Sequence, residues 1–173
     1  MSTPAEATPA ESAAAGAGGL RWLILSVTVI VLDQLSKWYV LQHLTLAEPV
    51  HVLPIFDLTL LHNTGAAFSF LAGQSGWQRW FFTVLALGVS ALIVTWLYRL
   101  PRGQRWTGAA LALIVGGALG NVIDRMRLGY VIDFIHLHWQ DWYFPAFNVA
   151  DSAISIGAVM LALDILLSRP RPS

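Results

Sequence analysis

The chain has 173 residues, of which 56% are hydrophobic and only 12% charged, and its formal net charge is zero. A soluble domain carries about a quarter of charged residues; together with a mean hydropathy of +0.61, this points to an integral membrane protein. No basic patch is interleaved with aromatics, so nucleic acid is not expected as a partner, and the absence of cysteine excludes disulfides, thiolate catalysis and cysteine metal sites.

The first stretch, residues 1–19, is dominated by Ala, Ser, Thr, Pro, Glu and Gly and reads as a disordered tail. Glu6 and Glu11 stand where a signal peptide would carry basic residues. A single membrane domain is expected over 20–168, with a cytoplasmic tail at 169–173. About 20 apolar residues cross a bilayer, and four such segments are expected at about 20–41, 77–98, 106–125 and 147–167. The first is interrupted by Asp33, Gln34, Ser36 and Lys37, with Asp33 and Lys37 spaced to pair on one helix face.

The regions at about 44–76 and 128–146 lie between spans. In the first, Val50–Val52 and Asp57–Leu61 have strand composition, including the alternation Asp57-Leu58-Thr59-Leu60, and predict a small sheet or hairpin. A turn is expected at Asn63-Thr64-Gly65, and the short apolar run Ala66–Leu71 is read as a short interfacial helix. The basic loop Arg99–Arg105, Arg21, and Arg169 with Arg171 place both termini in the cytoplasm by the positive-inside rule. In the third span, Gly116 and Gly120 form a small-xxx-small pair suited to close helix packing.

Polar residues near hydrocarbon call for a partner, a proton or a function. Asn121, Asp124 and Arg125 fall on one face of the third span. Asp124 beside Arg125 reads first as a structural pair, with a bridge across to Asp33 as the alternative. Asp133 is the single charge in the extended run Tyr130–Ile135, which suits a functional acid better than a solvated loop residue. Asn148 is placed to cap the fourth span, with Asp151 in its first turn. Asp151 therefore reads either as a capping residue or as a functional acid. Asp141 is expected to be solvated, and Asp164 to pair with basic residues at the cytoplasmic end. His136 and His138 are a weak metal signal, no HExxH motif is present, and no metal is expected. Gly73-Gln-Ser-Gly76 reads as a turn rather than a serine nucleophile.

Five motifs then carry a resemblance: Val31-Leu-Asp-Gln-Leu-Ser-Lys37, Asn63-Thr-Gly-Ala-Ala-Phe-Ser69, Gly116–Arg125, Val131-Ile-Asp-Phe134 and Phe147-Asn-Val-Ala-Asp-Ser152. In this order they resemble the lipoprotein signal peptidases, or signal peptidase II. The resemblance implies an all-α membrane fold of four transmembrane helices with a small extracytoplasmic β-element and a mobile flap over the site. It implies an aspartic endopeptidase of the bacterial inner membrane, with catalytic Asp133 and Asp151 at the periplasmic side. Asp33, Asn63, Asn121, Asp124, Arg125 and Asn148 would bind substrate or brace the site. The implied substrates are diacylglyceryl-modified prolipoproteins, cut just before the lipidated cysteine. No cofactor is expected, lipids are the other partner, and the protein is expected to be a monomer. The rival classes are an ion carrier, whose acids would sit near mid-membrane, and a structural membrane subunit.

Overall fold

The structure is a computed structural model that describes residues 18–65 and 76–167. One turn of 3-10 helix at Leu20–Trp22 leads into α1 (Leu23–His43), followed by β1 (Pro49–Leu53) and β2 (Phe56–Asn63). Then come α2 (Trp77–Arg99), α3 (Arg105–Leu128), β3 (Val131–Trp139), β4 (Trp142–Tyr143) and α4 (Val149–Leu167). All four helices are long and apolar enough to cross a membrane. Residues 1–17 of the expected tail, the stretch 66–75 with its expected interfacial helix, and the residues beyond 167 lie outside the described residues, as does most of the Gly73–Gly76 turn.

α3 is the central helix and packs against α1, α2 and α4. Its glycines set how closely. A Cβ on Gly116 would strike the Ser26 carbonyl of α1, and one on Gly117 would strike the Ala150 carbonyl of α4. Small residues are what let helices approach inside lipid, where no hydrophobic drive holds them together. Ser26 closes the α1 contact by donating to the Ala112 carbonyl at 2.8 Å. Large apolar side chains such as Ile24, Val27, Val84 and Leu92 are left exposed on the bundle surface, where acyl chains would meet them.

The two ends of the bundle differ. At one end Arg21 donates to the Arg102 carbonyl, beside a buried cluster of Leu97, Leu100 and Leu111. At the other end lies a four-stranded antiparallel sheet in the order β1-β2-β3-β4. The expected hairpin is thus only half of it; the chain after α3 supplies the rest. Val40 of α1 packs with Leu60, Ile132 and Phe134 and fastens the sheet to the bundle.

Candidate active site

Four local devices bring the polar residues together at the sheet end. α3 stops at Gly129, whose φ of +89° is the left-handed conformation that ends helices and suits glycine. The chain then enters β3, and Asp124 Oδ2 accepts from the Ile132 backbone N–H at 3.1 Å, which pins the start of the strand that carries Asp133. On the far side, Phe147 and Ile135 exchange backbone hydrogen bonds at 2.8 and 3.0 Å, so the chain enters α4 directly beside β3. Asn148 then caps α4, its Oδ1 accepting from the Asp151 N–H at 2.9 Å.

The result is a continuous network. Lys37 is buried and forms ion pairs at 2.8 Å with both Asp33 and Asp124. Asp33 in turn accepts from the Ala150 N–H at 2.9 Å, and Gln34 donates to Asp124 at 2.9 Å. Lys37 also donates to Asn121 Oδ1 at 3.1 Å. An ammonium only donates, so it orients the Asn121 amide and turns Nδ2 outward. That Nδ2 donates to Asp151 Oδ1 at 2.8 Å.

Asn148 works the same way. Its Oδ1 is committed to the α4 backbone, so its Nδ2 faces Asp133 Oδ1 at 2.7 Å. Asn63 completes the set from the end of β2. Its Oδ1 accepts from the Gly65 N–H at 2.8 Å, an Asx turn, and its Nδ2 donates to Asp133 Oδ2 at 2.9 Å. The expected turn at Asn63–Gly65 therefore has a purpose: it aims a side-chain amide.

Asp133 is 2% exposed. Its pKa is raised from 3.8 to about 6, chiefly by burial, with the nearby charge of Asp151 adding to the rise. The hydrogen bonds from Asn63 and Asn148 and the charge of Lys37 oppose it. Asp151 is half-buried and borders a cleft of about 430 Å³ lined by Phe144, Pro145, Phe147, Ser155 and Ile156. Two acids therefore flank Asn148, one shielded from water and the other open to an apolar groove.

Among the other expectations, Asp33 and Lys37 do pair. Asp124 is not held by Arg125. Consecutive residues on a helix point about 100° apart, so Lys37 of α1 reaches Asp124 while Arg125 turns over the Phe82 ring of α2 at 5.3 Å. Arg125 still lies near enough to interact electrostatically with Asp151, Asp124 and Asp133. Asp141 is exposed, as expected, and Asp164 accepts from Thr107 at 2.8 Å. Gln34 and Lys37 were not singled out as site residues, although a polar pair within an apolar helix was the signal for them.

The fold defines a class: a multispanning membrane protein with a buried polar network at one end of its helix bundle. The comparisons agree and go further. The family described as signal peptidase (SPase) II matches residues 25–167. A lipoprotein signal peptidase of Pseudomonas aeruginosa is 58% identical over 154 residues, covering 88% of this chain and 91% of that protein. One from Pseudomonas fluorescens is 58% identical over 160 residues, covering 91% and 94%. One from Acinetobacter baumannii is 57% identical over 154 residues, covering 88% of each. A solved bacterial membrane enzyme, determined by the in meso method at 1.9 Å resolution, superposes with a TM-score of 0.76 at 28% identity, covering 86% of this chain and 94% of that one.

The chain belongs to the signal peptidase II family. It is a peptidase of the bacterial inner membrane with four spanning helices.

Proposed function

We propose that this peptidase removes the signal peptide from diacylglyceryl-modified prolipoproteins, cutting just before the lipidated cysteine, with Asp133 and Asp151 as its catalytic pair. The observation that carries this reading is the hydrogen bonding of the two acids. Each is held by neutral asparagine amides, Asp133 by Asn63 and Asn148 and Asp151 by Asn121. No lysine or arginine side chain lies within ion-pair distance of either one among the described residues.

Neutral amide donors orient a carboxylate and favour its ionised form less strongly than a paired cation would. Two neighbouring acids cannot both ionise cheaply, so the pair titrates as a unit and one member retains a proton. We assign that proton to Asp133, the more deeply buried of the two. Asp151 borders the open cleft and acts as general base on a water. The water attacks the scissile carbonyl while Asp133 donates to the developing oxyanion, and a proton then passes to the leaving amine. The mechanism needs neither a covalent enzyme intermediate nor a metal. The apolar cleft beside Asp151 takes the chain flanking the cleavage point, and acyl chains rest on the exposed helix surface. Asp33, Asp124, Asn121 and Arg125 brace the pair, and the sheet end faces the periplasm, with both termini in the cytoplasm. The working unit is a monomer with one membrane domain.

The test is turnover of a purified, diacylglyceryl-modified precursor, with the product mass locating the cut. The wild-type chain is expected to release a fragment that begins at the lipidated cysteine. Equal cleavage of the unmodified precursor would overturn the lipid requirement, and normal turnover by Asp133→Asn or Asp151→Asn would remove that residue from the pair.

A further inference from the structure

Away from the acid pair, the sheet holds a second polar cluster that the reaction does not use. His51 and Asp57 face each other directly across β1 and β2. Asp57 also faces His136 across β2 and β3. Side chains alternate along a strand, so His138, two residues further on, projects from the same face. Asp57 is fully buried, 0% exposed, although it lies outside the spans. Its Oδ1 is 2.7 Å from His51 Nδ1 and 3.3 Å from His138 Nε2.

What remains unpaired is informative. Asp57 Oδ2 and His138 Nδ1 are buried without a hydrogen-bond partner, and His138 Nε2 has only its long 3.3 Å approach to Asp57. Leaving such groups unmet is costly, and native proteins avoid it. One ligating atom from each of His51, Asp57 and His138 lies within 4.8 Å of the others. Tyr143 of β4 stacks on the His138 ring at 5.1 Å and holds its plane. His51 is largely exposed and borders a cavity of about 300 Å³ formed with Val52, Leu53, Pro54 and His138, which provides a way in.

We propose that His51, Asp57 and His138 form a binding site for a divalent transition metal of the zinc type. Two imidazoles and one carboxylate are the donor set that zinc accepts, with a fourth position left for water. A cation there would satisfy the orphaned carboxylate oxygen and a nitrogen of His138 together. It would also clamp β1, β2 and β3, the strands that present Asn63 and Asp133. Asp57 lies four residues before Leu61, the strand partner of Asp133, a separation of roughly 13 Å along β2. The site therefore stabilises the sheet and stays out of the hydrolysis, so it stands independently of the proposed reaction. It also departs from the sequence reading, which weighed His136 with His138 and expected no metal.

The test titrates zinc into the full-length chain, purified in detergent without a histidine tag and stripped with EDTA, using calorimetry and thermal melting. One zinc per chain is expected, with a melting point that rises as zinc is added. His51→Ala, at a largely exposed ring, should weaken binding by at least about tenfold, as should His138→Ala, with circular dichroism confirming that each variant is folded. His136→Ala should leave it within about threefold, because that residue is not a ligand. Absence of saturable binding below about 1 mM, or tight binding that survives His51→Ala, overturns the proposal. Either result would leave the cluster as a proton-sharing network.

Discussion

The sheet end of the bundle contains two pairs of aspartates built on opposite principles. Asp33 and Asp124 share a buried cation, Lys37, at 2.8 Å each. Asp133 and Asp151 are held by separate asparagine amides, Asn63 and Asn148 for the first and Asn121 for the second, with no shared cation among the described residues. The first arrangement joins α1 to α3 through one shared ammonium. The second fixes carboxylate oxygens through neutral donors alone. Asn121 links the two, accepting from Lys37 on one side and donating to Asp151 on the other. The cationic half is thus a brace that orients the neutral half.

If the two pairs differ in this way, substitutions must separate activity from stability. The largest effect is expected at the amide-held pair. Asp133→Asn or Asp151→Asn should cut turnover of the lipidated precursor by at least about a thousandfold while the protein still inserts and melts near the wild-type temperature. The cation-held pair should respond in the opposite sense. Lys37→Met leaves two buried carboxylates without their cation, and breaking a buried pair costs about 3–5 kcal/mol. Thermal melting in detergent should show that loss, and adding Asp33→Asn should recover part of it. Asp124→Asn should likewise harm stability at least as much as rate. A well-folded, fully inactive Asp124→Asn protein would move the chemistry to that residue.

A smaller effect concerns the proton itself. The charge of Asp151 raises the pKa of Asp133, and the hydrogen bond from Asn63 lowers it. Asp151→Asn should therefore move the Asp133 titration down from about 6, and Asn63→Ala should move it up, each by about a unit or less. Carboxyl infrared or carbon NMR titration would read both shifts, and shifts of the same sign would refute the assignment. The sign carries over to stability. Because the folded pKa lies above the ordinary 3.8, Asp133 contributes stability in its protonated form at low pH, and that contribution is lost as pH rises through about 6. The smallest effect should come from chelation. Excess EDTA should leave the cleavage rate unchanged, even if it removes a metal from the sheet; inhibition reversed by zinc would place the metal in the reaction.

The chain's own order of residues determined a good deal. Four apolar runs of membrane length, the strands around Val50–Val52 and Asp57–Leu61, and the Asn63–Gly65 turn were legible because each depends on neighbours in sequence. The Asp33–Lys37 pair was legible for the same reason, being four residues apart on one helix. Helix spacing could also place Asn148 as a cap for Asp151.

Only the tertiary structure decided the rest. The sheet gains β3 and β4 from residues about 70 positions later, and no local pattern announces such a partner. The alternation of Asp57-Leu58-Thr59-Leu60 located a strand but not that Asp57 and Thr59 would be buried beneath histidines from two other strands. Adjacency in sequence suggested Arg125 as the partner of Asp124, yet the cation came from α1, because neighbours on a helix point apart while residues on facing helices meet. Which acids share a lysine is decided by helix packing, and which meet asparagine amides by how the sheet and the helix ends come together. The sequence named the acids, and the fold assigned their partners.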